Sequence, residues 1–472
     1  MRSPTTRRMI RRAASGVAAI AMLLAASGCS LFRATIGAYE TGPDGIARSQ
    51  QQLREALVRA DYAAALGWHE DDELLRALGV GASSYYASQF ARSVAVLDSA
   101  ALIADDRITN SVSASALALV SNDLVRPYQA RRTERLFIPY YAMLAFARLD
   151  QWEDAAVEAR RLGGLLSQYA ADRTESERAT HATLHYLTGV VFERAGEKGD
   201  AQVAYRLARA LLPERVDSTR GGDGRGEGEI LVVLERGFVA HRATETISVF
   251  LGESDRDSLN DRRREKNAGV VSRIAGVMSS SSSSESSTVR GDRSRKPGWE
   301  YEHHDDDDGY WLRVSFPSVR RAPLVRGEPN VVVDGESFAS VRVGSVLDDA
   351  VNADQDRERA ALIARAIARA TAKYAVTKAV KDSKGEVAGS IANIGAALLE
   401  RADVRSWHVL PQMITLLRVR LPAGQRQVQV DVGEGLERID LGEVRVRAGQ
   451  VTIASARMWR ETPRAGLLAS VR

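Results

Sequence analysis

Residues 185–213, HYLTGVVFERAGEKGDAQVAYRLARALLP, constrain this chain more than any other stretch. They read as two short helices folded back on each other. Gly189 and Ala201 are small, as residues must be where two helix axes cross closely, and Phe192 and Tyr205 are large enough to fill the space beside such a crossing. Gly196 falls where the chain has to reverse, and Ala208 keeps the second helix close to the first. Pro213 ends that helix, because it has no amide hydrogen to donate to the preceding turn.

The same register recurs upstream. Residues 139–162 place Phe146, Trp152, Ala155, Ala159 and Leu162 in it, with Met143 at the position of the first glycine. A third copy surrounds Phe90, Ser93, Leu97 and Ala100, and a fragment at Tyr62 and Ala65 begins the array. The order small, aromatic, glycine, small, aromatic, small, proline resembles a tetratricopeptide repeat, which implies stacked antiparallel helix pairs with a groove along one side. The small residues Ser93, Ala155 and Ala201 are unevenly spaced, so the array is irregular. A plain helical bundle is the alternative for residues 50–219, and it too stacks antiparallel pairs. On the repeat reading the groove would hold a protein or peptide partner against Tyr140, Tyr141 and Leu144 of one unit and His185 and Thr188 of the other.

The single cysteine stands at a telling place. Arg2, Arg7, Arg8, Arg11 and Arg12 make a positive N-terminal region, residues 13–25 are a short apolar run, and Ala26, Ser27 and Gly28 lead directly into Cys29. The run is shorter than the roughly 20 residues a bilayer span needs. The layout is that of a secretory signal peptide over residues 1–28. It resembles the bacterial lipobox, with Ala26 where leucine is commonest, and the resemblance implies acylation of Cys29 and a membrane contact through N-terminal acyl chains. Ser30 stands where lipoproteins kept at the inner membrane carry Asp, so the expected location is the inner leaflet of an outer membrane, facing the periplasm. With no other cysteine, the mature chain cannot form an internal disulfide.

Residues 29–49 read as a tether, and the glycine-rich run 220–228 as a boundary between the helices and an α+β domain over 229–460. Strands are predicted at 230–234, 246–251, 310–316 and 330–333. A long helix follows over 345–380, with Ile363, Ile367, Ala370 and Tyr374 on one face and Lys373, Lys378, Lys381 and Lys384 toward its end. A short helix at 387–399 and hairpins at 413–432 and 445–456 complete the domain. Residues 255–298, with six consecutive serines at 279–284, carry too little apolar surface to offset their ordering entropy and read as a disordered insertion.

Three passages resemble a poorly characterised family of bacterial lipoproteins with an N-terminal tetratricopeptide-like region: YYAMLAFARLDQWEDAAVEARRL at 140–162, ILVVLERG at 230–237, and DVRSWHVLP at 403–411 with the following LPAG turn. The resemblance implies a lipoprotein of the Gram-negative envelope and carries no activity. The chemistry read from the residues is equally quiet. His303, His304 and the aspartates 305–308 are metal-like in type, but consecutive side chains diverge and a solvated acidic loop is the simpler reading. Asp403, Arg405 and Trp407 would share a strand face, favouring a structural pin over a catalytic group, and His408 follows them. Net charge is only +4 with acids and bases interspersed, which argues against nucleic acid as a partner. No catalytic residue, metal or cofactor is expected. The expected function is a periplasmic protein-binding scaffold in envelope assembly or maintenance. The competing expectation is an envelope hydrolase or polysaccharide-processing enzyme, which a C-terminal pocket with converging Asp, His and Arg would favour.

Overall fold

The computed structural model describes residues 46–110, 127–213, 226–251, 310–324, 327–338, 340–384, 402–433, 436 and 438–459. The leader, Cys29, most of the tether, the 255–298 insertion, His303 to Asp308 and the helix expected at 387–399 lie outside the described residues, as do the side chains of Ile367, Ala370, Lys373, Tyr374, Lys378, Lys381 and Lys384.

Among the described residues the N-terminal half folds as eight α-helices: α1 (Arg48–Val58), α2 (Tyr62–Leu66), α3 (Glu73–Tyr86), α4 (Phe90–Asn110), α5 (Arg132–Arg148), α6 (Trp152–Gln168), α7 (Arg178–Arg194) and α8 (Lys198–Leu211). They pair as four hairpins with one kind of joint. Each joint is three residues long, and its middle residue is left-handed: Ala60 at φ 55°, Ser88 at 58°, Asp150 at 60° and Gly196 at 83°. Each closes with the same bond, in which the amides of Asp61, Gln89, Gln151 and Glu197 donate to the carbonyls of Ala56, Ser84, Phe146 and Phe192 at 2.8–3.0 Å. That bond satisfies a carbonyl which the helix end would otherwise leave unpaired. Five residues beyond each left-handed residue stands a buried small side chain: Ala65, Ser93, Ala155 and Ala201. Pro139 lies inside α5 and does not begin it, because the helix already starts at Arg132.

The C-terminal half contains β1 (Glu227–Arg236), β2 (His241–Leu251), β3 (Tyr310–Arg320), β4 (Asn330–Val333), β5 (Glu336–Phe338), β6 (Val341–Val346), α9 (Leu347–Lys384), β7 (Met413–Pro422), β8 (Gly424–Asp431), β9 (Ile439–Val446) and β10 (Val451–Met458). One mixed sheet has the order β10-β1-β7-β6, with β10 parallel to β1 and the other pairs antiparallel. A second sheet has the order β5-β4-β8-β9, and β2 and β3 form a separate ribbon against which α9 packs. The expected hairpins at 413–432 and 445–456 are corrected here. β7 and β8 belong to different sheets, as do β9 and β10, so the chain turns a corner of a sandwich at each place. Alternation reports which faces are covered, and it is the same for a hairpin and for a corner.

The mixed sheet is the middle layer of the molecule. Ile230, Val232 and Leu234 of β1 pack on the second sheet with Val331, Val428, Val430 and Val444. Leu231 and Val233 point the other way and share one core with Tyr86, Tyr140, Leu187 and Val190 of the helices. A strand covered on both faces must be apolar at nearly every position, which is why ILVVL is uninterrupted. The boundary at 220–228 separates two kinds of secondary structure, and the helices and the sheet still share one hydrophobic cluster.

Candidate functional site at the seam between helices and sheet

The five residues expected to face a partner lie in this seam. Tyr140 and Tyr141 are 0 % exposed, Leu144 and Thr188 1 %, and His185 5 %. Their expected exposure is therefore corrected: the face they line is covered by the protein's own mixed sheet. The residues read as repeat packing lie at the helix crossings. A Cβ on Gly189 would meet the Tyr205 ring at 2.7 Å, while Phe192, Ala201 and Ala208 are buried. Ala155 is buried as well, and Trp152, half-buried, stacks under Arg194 at 4.6 Å. Pro213 follows the end of α8 by two residues.

Two buried carboxylates flank the apolar run of β1, and the seam is stitched by Glu235 itself at one end and by Arg418, the partner of Glu229, at the other. Glu235 Oε1 accepts from the Tyr140 hydroxyl at 3.0 Å, and Oε2 from Tyr86 at 2.9 Å. Tyr86 and Tyr141 share a further bond at 2.7 Å, and the Tyr85 hydroxyl donates to Ser455 at 3.1 Å. Burial raises the Glu235 carboxyl above its usual range, although Arg457 and the tyrosine hydroxyls oppose the shift. At the other end Arg418, itself buried, donates to Glu229 through Nε at 3.1 Å and through Nη2. It also donates to Tyr205 at 2.9 Å and to both oxygens of Glu193 at 3.0 Å. Charged groups removed from water need such partners, because an unpaired one costs several kcal/mol, on the order of the gain from burying one or two leucines. Sequence reading missed Glu229, Glu235 and Arg418. The signal was present in the two-residue alternation, since 229, 231, 233 and 235 share one face of a strand.

The second feature is a half-open cleft of about 210 Å³ beside the start of α5, walled by α9, β2 and the 403–405 segment. Arg242 Nη2 donates to Glu358 Oε2 at 2.8 Å, and Arg131 Nε approaches the same oxygen at 3.4 Å. Burial alone would raise the Glu358 carboxyl, but the two guanidiniums outweigh it and hold the group below its usual range. Burial and the neighbouring Arg131 together lower Arg242. Asp403, on the rim, is already matched: Arg405 donates to it at 2.9 Å and 2.7 Å, and burial is again outweighed, so its carboxyl is lowered. The expected Asp403–Arg405 pair is thus present. Its aromatic neighbour is Tyr128, whose ring lies 5.9 Å from the Arg405 guanidinium, while Trp407 packs on Tyr141 at 5.8 Å. His408 lies 5.9 Å from the His241 ring, and burial holds it well below its usual range.

Among the described residues no group of three or more His, Cys, Asp or Glu side chains could hold a metal ion, and no helix is long and apolar enough to cross a membrane. No protein-family model matches the chain, no curated protein matches it, and no solved structure matches it.

Proposed function

We propose that this chain is a lipid-anchored, periplasm-facing protein of the outer membrane that acts as a binding scaffold, with a helical array of tetratricopeptide type bolted to its own sheet. The observation that carries the reading is the joint repeated four times along the helices, with a left-handed residue, its closing hydrogen bond and the buried small residue five positions on. Arrays built this way hold partners on an extended surface and perform no chemistry of their own. The inner face is filled in cis by the mixed sheet, so the partner, a second envelope protein, meets the outer helices. There Leu102 of α4, Val157 of α6 and Val203 and Leu207 of α8 stand exposed.

A photo-crosslinking residue placed at Val157 or Val203 in cells should capture one discrete envelope protein, and the same residue at Leu144 should capture none. Fractionation of Cys29→Ser should release the protein from the membrane. Absence of a discrete adduct at either outer position would remove the scaffold reading, and a Cys29→Ser protein that still sediments with the outer membrane would remove the anchor. The enzyme alternative would use the cleft, where Arg131, Arg242 and Asp403 converge without His408 among its lining.

A further inference from the structure

The cleft beside Arg242 brings two guanidiniums onto one carboxylate oxygen. Arg242 is 3 % exposed, and its one hydrogen bond among the described residues is to Glu358 Oε2. A guanidinium has five N–H donors, so this buried group leaves most of them aimed elsewhere than at protein acceptors. Arg131 adds a second guanidinium on the same carboxylate oxygen, and its other short bond goes to the neutral Arg405 carbonyl at 3.1 Å. Glu134, at 3.9 Å, and Asp403 are its other acidic neighbours. The same Glu134 already accepts from the Arg131 amide at 2.8 Å and from the Trp407 amide at 2.7 Å, so both of its oxygens are engaged. Asp403 is held by Arg405 on both of its oxygens. At the floor of the cleft, two guanidiniums therefore meet on one carboxylate oxygen, and that carboxylate is the most exposed member of the set, at 39 %. Tyr128 adds a buried hydroxyl beside Glu134.

We propose that this cleft is a binding site for a small oxyanion, a phosphate or carboxylate headgroup, gripped by Arg131 and Arg242 at the place Glu358 now occupies. The planar fork of a guanidinium matches the paired oxygens of both groups, and two forks on one side of a cavity select for charge and for shape. The volume of about 210 Å³ leaves room for a few carbon atoms behind the headgroup, against Leu362 and Ala361. Glu358 is the internal stand-in. It keeps the two arginines from repelling each other, and its partial exposure lets it give way to the oxyanion. This assignment does not rest on the scaffold reading.

The test is calorimetric titration of the purified mature chain with inorganic phosphate and, separately, with acetate. The two arms separate a phosphate site from a carboxylate site, since the preferred ion should bind about tenfold tighter than the other. Arg242→Gln should weaken the preferred ion by at least about tenfold. Glu358→Gln removes the competing carboxylate and should tighten it by a similar factor, an outcome that a merely structural role for Glu358 does not give. The thermal melt of each variant reports whether it is folded, and Glu358→Gln keeps the test decisive should Arg242→Gln fail to fold. Wild-type protein that binds neither ion at about 10 mM would overturn the proposal. So would binding that Glu358→Gln leaves unchanged or weakens.

Discussion

At the scale of single residues, three of the four helix hairpins obey a rule of paired sizes. Counting from the left-handed residue of each joint, Gly81, Met143 and Gly189 occupy one equivalent position, and Leu97, Ala159 and Tyr205 another. Where the first is glycine the second is large, and where the first is methionine the second is alanine. The contact at Gly189 is tight: its absent Cβ would meet Tyr205, whose hydroxyl is tied to Glu193 at 2.6 Å and to Arg418. The ring cannot retreat cheaply, so Gly189→Ala should cost about 1–3 kcal/mol in urea unfolding. Gly164, in α6, has nothing within 4 Å of its would-be Cβ, and Gly164→Ala should gain about 0.5–1 kcal/mol by restricting the unfolded chain. Equal effects at the two sites would mean that helix propensity alone governs both. This code was legible in the sequence because size at a crossing is a local property. Exposure was not. Tyr140 and His185 looked available because the strand that covers their face lies far along the chain, and helical periodicity carries no record of a distant partner.

Elements are tied together by side chains that complete another element's end. Asp354 of α9 accepts from the Thr133 amide, at the first turn of α5, at 2.9 Å, and from Arg357 at 3.0 Å. A carboxylate there satisfies an amide the helix cannot bond internally and complements its positive end. Burial nevertheless dominates and pushes the Asp354 carboxyl up to about 6 from an ordinary 3.8. A raised carboxyl holds its proton more tightly in the folded chain than in the unfolded one. Between those two values folding takes up a proton, and the group's contribution to stability falls as pH rises through the window. Asp354→Asn has no such proton. The stability difference, wild type minus variant, should therefore decline from pH 4 to 6 by up to about 1.4 kcal/mol per unit and stay level above it. A difference that climbs with pH in urea titrations would mean that Thr133 and Arg357 outweigh burial. The long helix itself was readable from its apolar period, and its role as a cap was not, because the amide it serves belongs to residue 133. The sandwich corners at 422–424 and 446–451 were misread for a related reason: a short turn between two alternating strands does not say whether they pair with each other.

For the whole molecule, the question is whether helices and sheets can come apart. The mixed sheet has no free face: one side is sealed by the second sheet and the other by α3, α5 and α7. Peeling the helices away would expose Leu231, Val233, Val343 and Leu416 to water, strip Glu235 of its tyrosine donors and take Glu193 and Tyr205 from Arg418. Calorimetry should therefore record a single unfolding transition, with helical and aromatic circular-dichroism signals coincident. Two separated transitions would mean that the layers are independent domains. Arg418→Met probes the same seam from within. It leaves the buried Glu229 with only Arg420, at 3.5 Å, takes a partner from Glu193, and should lower stability by about 3–5 kcal/mol without splitting the transition. Adding Glu229→Gln removes that buried charge, so the double variant should recover part of that loss. The recovery measures the coupling of Arg418 to Glu229 within the mixed sheet, and its absence would reduce Arg418 to a space-filling side chain.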